Sequence, residues 1–189
     1  MKKAISTKTV VIMALFTALC YVGTLLNIPF SIGGAKTMIH FGNIFCVLAA
    51  LTLGGVKGGI CGSIGMGLYD LFSPGYQLYV PQTVILKFGI GLICGVVYHK
   101  TKDKIKNQYL RILLSAAAGM LFNVIFDPIA SFLTSNFIMG ITKDVSTIIA
   151  SWSAATTLVN AVIAVIVASV LFAALKPALE KSGYLSHEK

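Results

Sequence analysis

Six long apolar stretches divide the chain, at about residues 9–27, 40–54, 57–73, 80–98, 110–134 and 148–175, and charged residues gather in the segments between them. At 1.5 Å of rise per residue, such stretches cross all or much of the roughly 30 Å of bilayer hydrocarbon as α-helices. The expected fold is therefore all-α: a single integral membrane domain over residues 1–189 with six transmembrane helices. An even number of spans places both termini on one side. Lys2 and Lys3 precede the first stretch as they would in a secretory signal, but that stretch is long and more follow, so it is read as a retained first span.

The basic residues orient the bundle. One set of loops and tails carries Lys2, Lys3, Lys8, Lys57, Lys100, Lys102, Lys104, Lys106, Arg111, Lys176, Lys181 and Lys189, whereas the other carries only Lys36 and Lys143. Cytoplasmic loops hold the excess of Lys and Arg, so both termini and the loop 99–111 are expected in the cytoplasm. The net charge of +9 thereby has a topological origin. It adds attraction to anionic lipid headgroups and gives no reason to expect nucleic-acid binding.

Composition narrows the class further. The chain is 57% apolar and 11% charged with a mean hydropathy of +0.88, far from the roughly 25% charged residues of soluble domains. Cys20, Cys46, Cys61 and Cys94 stand singly in apolar runs, without paired spacing or a neighbouring His. They read as small core residues, and no metal or cofactor is expected.

Small residues mark close helix packing. Ala14 and Ala18 lie one turn apart on the first span, and Gly55/Gly59 and Gly58/Gly62 repeat that spacing in the third. Faces of this kind let another helix backbone approach, from within the protein or from a partner. The external connection 27–39 holds Pro29 and Gly33-Gly34 and reads as a lid over a pocket or as a segment that simply lies at the membrane interface. The second external loop, 73–81, turns at Ser73-Pro74-Gly75 and brings in Tyr76, Tyr79 and Gln82, either as interfacial anchors or as walls for a flat ring.

The polar residues inside the spans carry the functional signal, because such groups are costly in a membrane and face a cavity or a partner. Lys87 lies about 10 Å from the outer end of its span, Asp127 about 10 Å and Asn123 about 16 Å from theirs. His40, Asn43, Tyr69 and Asp70 sit near outer ends as well. Trp152, Thr156 and Asn160 recur every four residues and so form one stripe running inward. Pro128, after Asp127, removes a backbone donor and bends the fifth span. The one-sided distribution predicts an outward-facing pocket for a small polar organic solute. The other reading of these groups is a structural network in which Lys87 pairs with Asp127 or Asp70.

No G-x-x-x-x-G-K-[ST] motif occurs, so the chain supplies no ATP site of its own. It is not expected to be an enzyme. An ion-coupled carrier usually shows inverted repeats and more spans. Six spans with a one-sided pocket suggest a binding subunit that borrows its motor.

The stretch HFGNIFCVLAALTLGGVKGGICGSIGMGLYDLFSPGYQLYVPQTVILKFGIGLICG, residues 40–95, resembles the substrate-binding S components of energy-coupling factor (ECF) transporters. It is closest in pattern to the hydroxymethylpyrimidine and pyridoxine branch, which is grouped with riboflavin S components. The resemblance implies a six-helix subunit of the bacterial plasma membrane that takes a vitamin from outside. It also implies docking on a coupling transmembrane protein with two cytoplasmic ATPase subunits, through an Ala-x-x-x-Ala face matched by Ala14 and Ala18. The family's ligands lie under the first external loop and against the last three helices. That points to the 27–39 lid, Lys87, Asn123, Asp127, Trp152, Thr156 and Asn160, joined by His40, Asn43, Tyr79 and Gln82 as candidate substrate contacts. Residues 38–43, Met-Ile-His-Phe-Gly-Asn, are less charged than the riboflavin pattern, which favours a smaller pyrimidine or pyridine alcohol over riboflavin; a riboflavin or pantothenate S component is the alternative.

Two readings from other classes compete. An intramembrane aspartyl protease would use Asp70 and Asp127, but Gly67-Leu-Tyr-Asp70 lacks the Gly-x-Gly-Asp spacing. A membrane scaffold would bind neither a small molecule nor ATPase subunits.

Overall fold

The apolar stretches fold as helices, and the computed structural model describes residues 6–181 of the chain. Lys2, Lys3 and Lys189, counted above in the charge asymmetry, lie outside the described residues. Among the described residues there are six α-helices: α1 (Thr7–Leu25), α2 (Gly42–Leu53), α3 (Gly55–Phe72), α4 (Val80–Lys100), α5 (Gln108–Leu133) and α6 (Lys143–Lys181). A 3-10 turn at Gln77–Tyr79 precedes α4, and a π-helical turn at Thr134–Ile138 follows α5. α5 stays helical through Pro128.

The all-α expectation needs one correction. The lid segment is an antiparallel hairpin of β1 (Asn27–Ile32) and β2 (Ala35–His40), paired from Asn27 opposite His40 to Ile32 opposite Ala35. Gly33 and Gly34 both take positive φ, 58° and 84°. A two-residue turn of that hand matches the right-handed twist of the strands and closes a hairpin without splaying them. Because β2 runs to His40, α2 starts two residues later than the apolar stretch suggests.

α2 has 12 residues, about 18 Å of helix, which is short of the hydrocarbon thickness. Of its residues only Phe45 is not buried. A helix apolar on every side belongs in the middle of a bundle, and α2 packs against α1, α3, α4 and α6. Among the described residues four segments are long and apolar enough to cross a membrane: Thr7–Leu25, Gln77–Lys100, Gln108–Ile138 and Lys143–Lys181.

α3 and α4 meet backbone to backbone. A Cβ on Gly91 would lie 2.3 Å from the Gly59 nitrogen, and one on Gly95 would lie 2.2 Å from that of Gly55. The small-residue repeat read in α3 thus finds a matching repeat on α4. Such contact leaves no room for side chains and fixes how α4 presents its polar positions. On α1, Phe16, Cys20, Gly23 and Thr24 face inward, while Ala14 and Ala18 lie exposed beside Leu15 and Val22. All four cysteines are free and buried.

Connectivity sorts the ends of the bundle. The hairpin, the α3–α4 connection and the α5–α6 connection share one end, here termed the hairpin end.

Candidate functional site

Helices that bury polar residues must give them partners or a cavity. At the hairpin end, β2 and helices α1 to α6 line an open-mouthed cavity of about 80 Å³. Nine of the ten predicted contact residues line it: His40, Asn43, Tyr79, Gln82, Lys87, Asn123, Asp127, Trp152 and Asn160. Thr156 does not.

The stripe on α6 is rotated from its expected position. Ile149, Ser153, Thr157 and Asn160 face the cavity along with Trp152, while Thr156 turns toward the hairpin and shares a 2.8 Å hydrogen bond with Thr37. Spacing of four alone does not decide which of two adjacent stripes faces inward. Ser153 and Thr157 carry the same spacing one residue further on, and that is the signal sequence reasoning missed. Trp152 lies at the mouth and is 49% exposed.

Asp127 organises the α4–α5–α6 wall. Its carboxylate accepts from Ser153 and Thr157 on α6 and, at 3.3 Å, from Gln82 Nε2 on α4. Gln82 also donates to Ser131 Oγ at 3.1 Å and accepts from Thr134 Oγ1 at 3.0 Å. One carboxylate therefore ties three helices, since each oxygen of an ionised Asp can accept more than one hydrogen bond. The second carboxylate in the cavity, Asp70 of α3, accepts from Thr83 of α4. Asp70 and Thr83 belong to the lining although neither was among the predicted contacts.

The hairpin is fastened across the cavity from two sides. From α6, Asn160 Oδ1 accepts from the His40 N–H at 2.9 Å and Asn160 Nδ2 donates to the Met38 carbonyl at 3.0 Å. From the α3–α4 connection, Pro74 offers its carbonyl to Lys36 Nζ at 2.8 Å, and the Tyr76 ring lies 5.5 Å from the same ammonium. At its base, Asn27 Nδ2 donates to Tyr69 Oη at 2.8 Å. Burial pushes the Tyr76 phenol up to about 12, so it stays neutral.

Lys87 and Asn43 form the floor. Lys87 is 7% exposed and donates to Asn123 Oδ1 at 3.5 Å. Among the described residues no ion pair joins it to Asp70 or Asp127, so the Lys87 pairing of the structural-network reading is not formed, although Asp127 ties helices together as that reading supposes. Asn43, in the first turn of α2, is 1% exposed, and neither Nδ2 nor Oδ1 has a hydrogen-bond partner.

The model of a family described as ECF-type riboflavin transporter, S component, matches residues 4–177. Among solved structures, the chain is similar to one described as the S-component for biotin from an ECF-type ABC transporter. That likeness has a TM-score of 0.62 at 21% sequence identity and covers 89% of this chain and 94% of that one. At such identity it speaks for the fold. No curated protein sequence matches.

Proposed function

Since the chain belongs to the ECF-type riboflavin transporter S component family, whose members are integral membrane transport subunits rather than enzymes, we propose that it captures a small neutral vitamin or vitamin precursor. The observation that carries this is the cavity roofed by the hairpin and lined by Lys87, Asn43, Asn123 and Asp70. A concave pocket with a few convergent polar groups suits a compact polar solute. Hydroxymethylpyrimidine or pyridoxine fits the reading best, with riboflavin as the larger alternative.

Charge argues for neutrality. Two carboxylates, Asp70 and Asp127, and two ammonium groups, Lys36 and Lys87, line the cavity, so its formal charges balance and a neutral solute leaves that balance undisturbed. The two Asp side chains are bonded by separate hydroxyl groups and not by each other, unlike the facing pair an aspartyl protease requires.

Orientation follows the basic residues. Lys57, Lys100, Lys102, Lys104 and Lys106 lie at the end opposite the hairpin, and the hairpin end has Lys36 and Lys143. By the positive-inside rule the hairpin opens to the outside, with both termini in the cytoplasm of a bacterial plasma membrane and all six helices embedded. S components pair with an ECF module of a coupling membrane protein and ATPases. In this reading the exposed Ala14/Ala18 face of α1 receives the coupling protein, which rides with two cytoplasmic ATPase subunits.

Co-expression with an ECF module tests this. The tagged chain is expected to retain the ATPase subunits on purification, and Ala14→Leu with Ala18→Leu to lose them while still binding ligand. A wild-type chain that never retains them would count against the subunit reading and favour a scaffold.

A further inference from the structure

Subtracting the hydrogen bonds already made within the protein leaves a pattern that a ligand must complete. Asp127 is occupied by Gln82, Ser153 and Thr157, and Asn160 is occupied by the hairpin backbone. Both belong to the wall and the roof. Asn43 is different, because its amide lines the cavity with donor and acceptor alike unused. A buried polar atom without a partner is destabilising and is rare in folded proteins.

The position of Asn43 is fixed from behind. It sits in the first turn of α2, next to Gly42, whose N–H donates to His40 Nδ1 at 3.2 Å, and α2 is packed on all sides. An amide held there offers one N–H and one C=O side by side. Lys87, with a single 3.5 Å hydrogen bond to Asn123, has further donors unused.

Building on the substrate-capture reading above, we infer that Asn43 is the specificity-determining residue of the cavity and reads a ring edge that presents a hydrogen-bond acceptor beside a donor. Two chemical groups have that edge: an amino group next to a ring nitrogen, as in an aminopyrimidine, and a cyclic amide or imide. Asn pairs with the first in two parallel bonds, as it does with adenine in nucleic-acid recognition. A pyridine alcohol lacks the edge and leaves one Asn43 atom unpaired.

Calorimetric titration of purified protein in detergent separates the cases, using amino-bearing hydroxymethylpyrimidine, its analogue without the amino group, riboflavin for the imide edge, and pyridoxine. Wild type is expected to bind one of the two edge-bearing compounds, at least about ten-fold tighter than pyridoxine and the analogue without the amino group. Asn43→Leu and Asn43→Asp are expected to weaken that binding about 10- to 100-fold and to erase the preference. The empty Asn43→Leu protein is expected to melt no lower than wild type, since no protein bond is lost.

Unchanged binding or an unchanged preference in the variants would overturn the assignment while leaving substrate capture standing. So would pyridoxine as the tightest ligand, or an empty Asn43→Leu protein that melts lower or fails to fold. If wild type binds none of the four compounds, the assignment and the capture reading both fall.

Discussion

Thr37 and Thr156 stand 119 residues apart in the chain and share a 2.8 Å hydrogen bond that pins the hairpin to α6. With the two bonds from Asn160, it makes α6 the main fastening of the roof. A single neutral hydrogen bond contributes about 0.5–1.5 kcal/mol. Thr156→Val should therefore speed ligand release by about 2- to 10-fold, with little change in melting temperature. Asn160→Leu, which strands the His40 N–H, should speed it more. Stopped-flow dissociation measures both, and equal rates in all three proteins would mean that the hairpin does not gate the cavity.

Asp127 serves the wall before it serves any ligand. Replacing it by Leu leaves Ser153, Thr157 and Gln82 without their shared acceptor. Hydrogen bonds to a charged group are worth about 1.5–3 kcal/mol, so the empty Asp127→Leu protein should melt several degrees lower. Ser153→Ala should lower it less. A variant that melts like wild type but binds no ligand would instead make Asp127 a direct contact.

The α3–α4 contact admits a sharper test. Gly91→Val puts a branched side chain where a Cβ alone would lie 2.3 Å from the Gly59 nitrogen. Relief requires the two helices to part, which displaces Lys87 and Gln82 on α4. The variant should give little monodisperse protein in size-exclusion chromatography. Normal yield with normal binding would show that the helices separate without consequence.

How much was legible in the sequence depended on periodicity. The spans announced themselves, and Lys87, Asn123 and Asp127 stood out because charge and amide are scarce in apolar helices. Nine of ten candidate contacts line the cavity, these three among them. The hairpin was hidden although Gly33-Gly34 is a two-residue hairpin turn signal, because the runs on either side do not alternate cleanly and an external connection between spans invites reading as a loop. Ser153 and Thr157 were passed over because the stripe through Trp152 and Asn160 drew the choice to Thr156, and hydroxyl residues in membrane helices usually bond their own backbone. Their bonds to Asp127 depend on how α5 sits against α6, which no local pattern encodes. The missing Lys87 ion pair has the same origin: spacing gave depths along each helix, whereas pairing depends on rotation about it.

The central claim, that the roofed cavity binds a small vitamin, is tested most directly through the chain's single tryptophan, Trp152, which lines the cavity mouth. Its fluorescence would be followed while purified protein is titrated with hydroxymethylpyrimidine, pyridoxine, riboflavin, thiamin and pantothenate. The account predicts a saturable change with one of the neutral compounds. Fluorescence that stays flat with all five, with calorimetry equally flat, would contradict it.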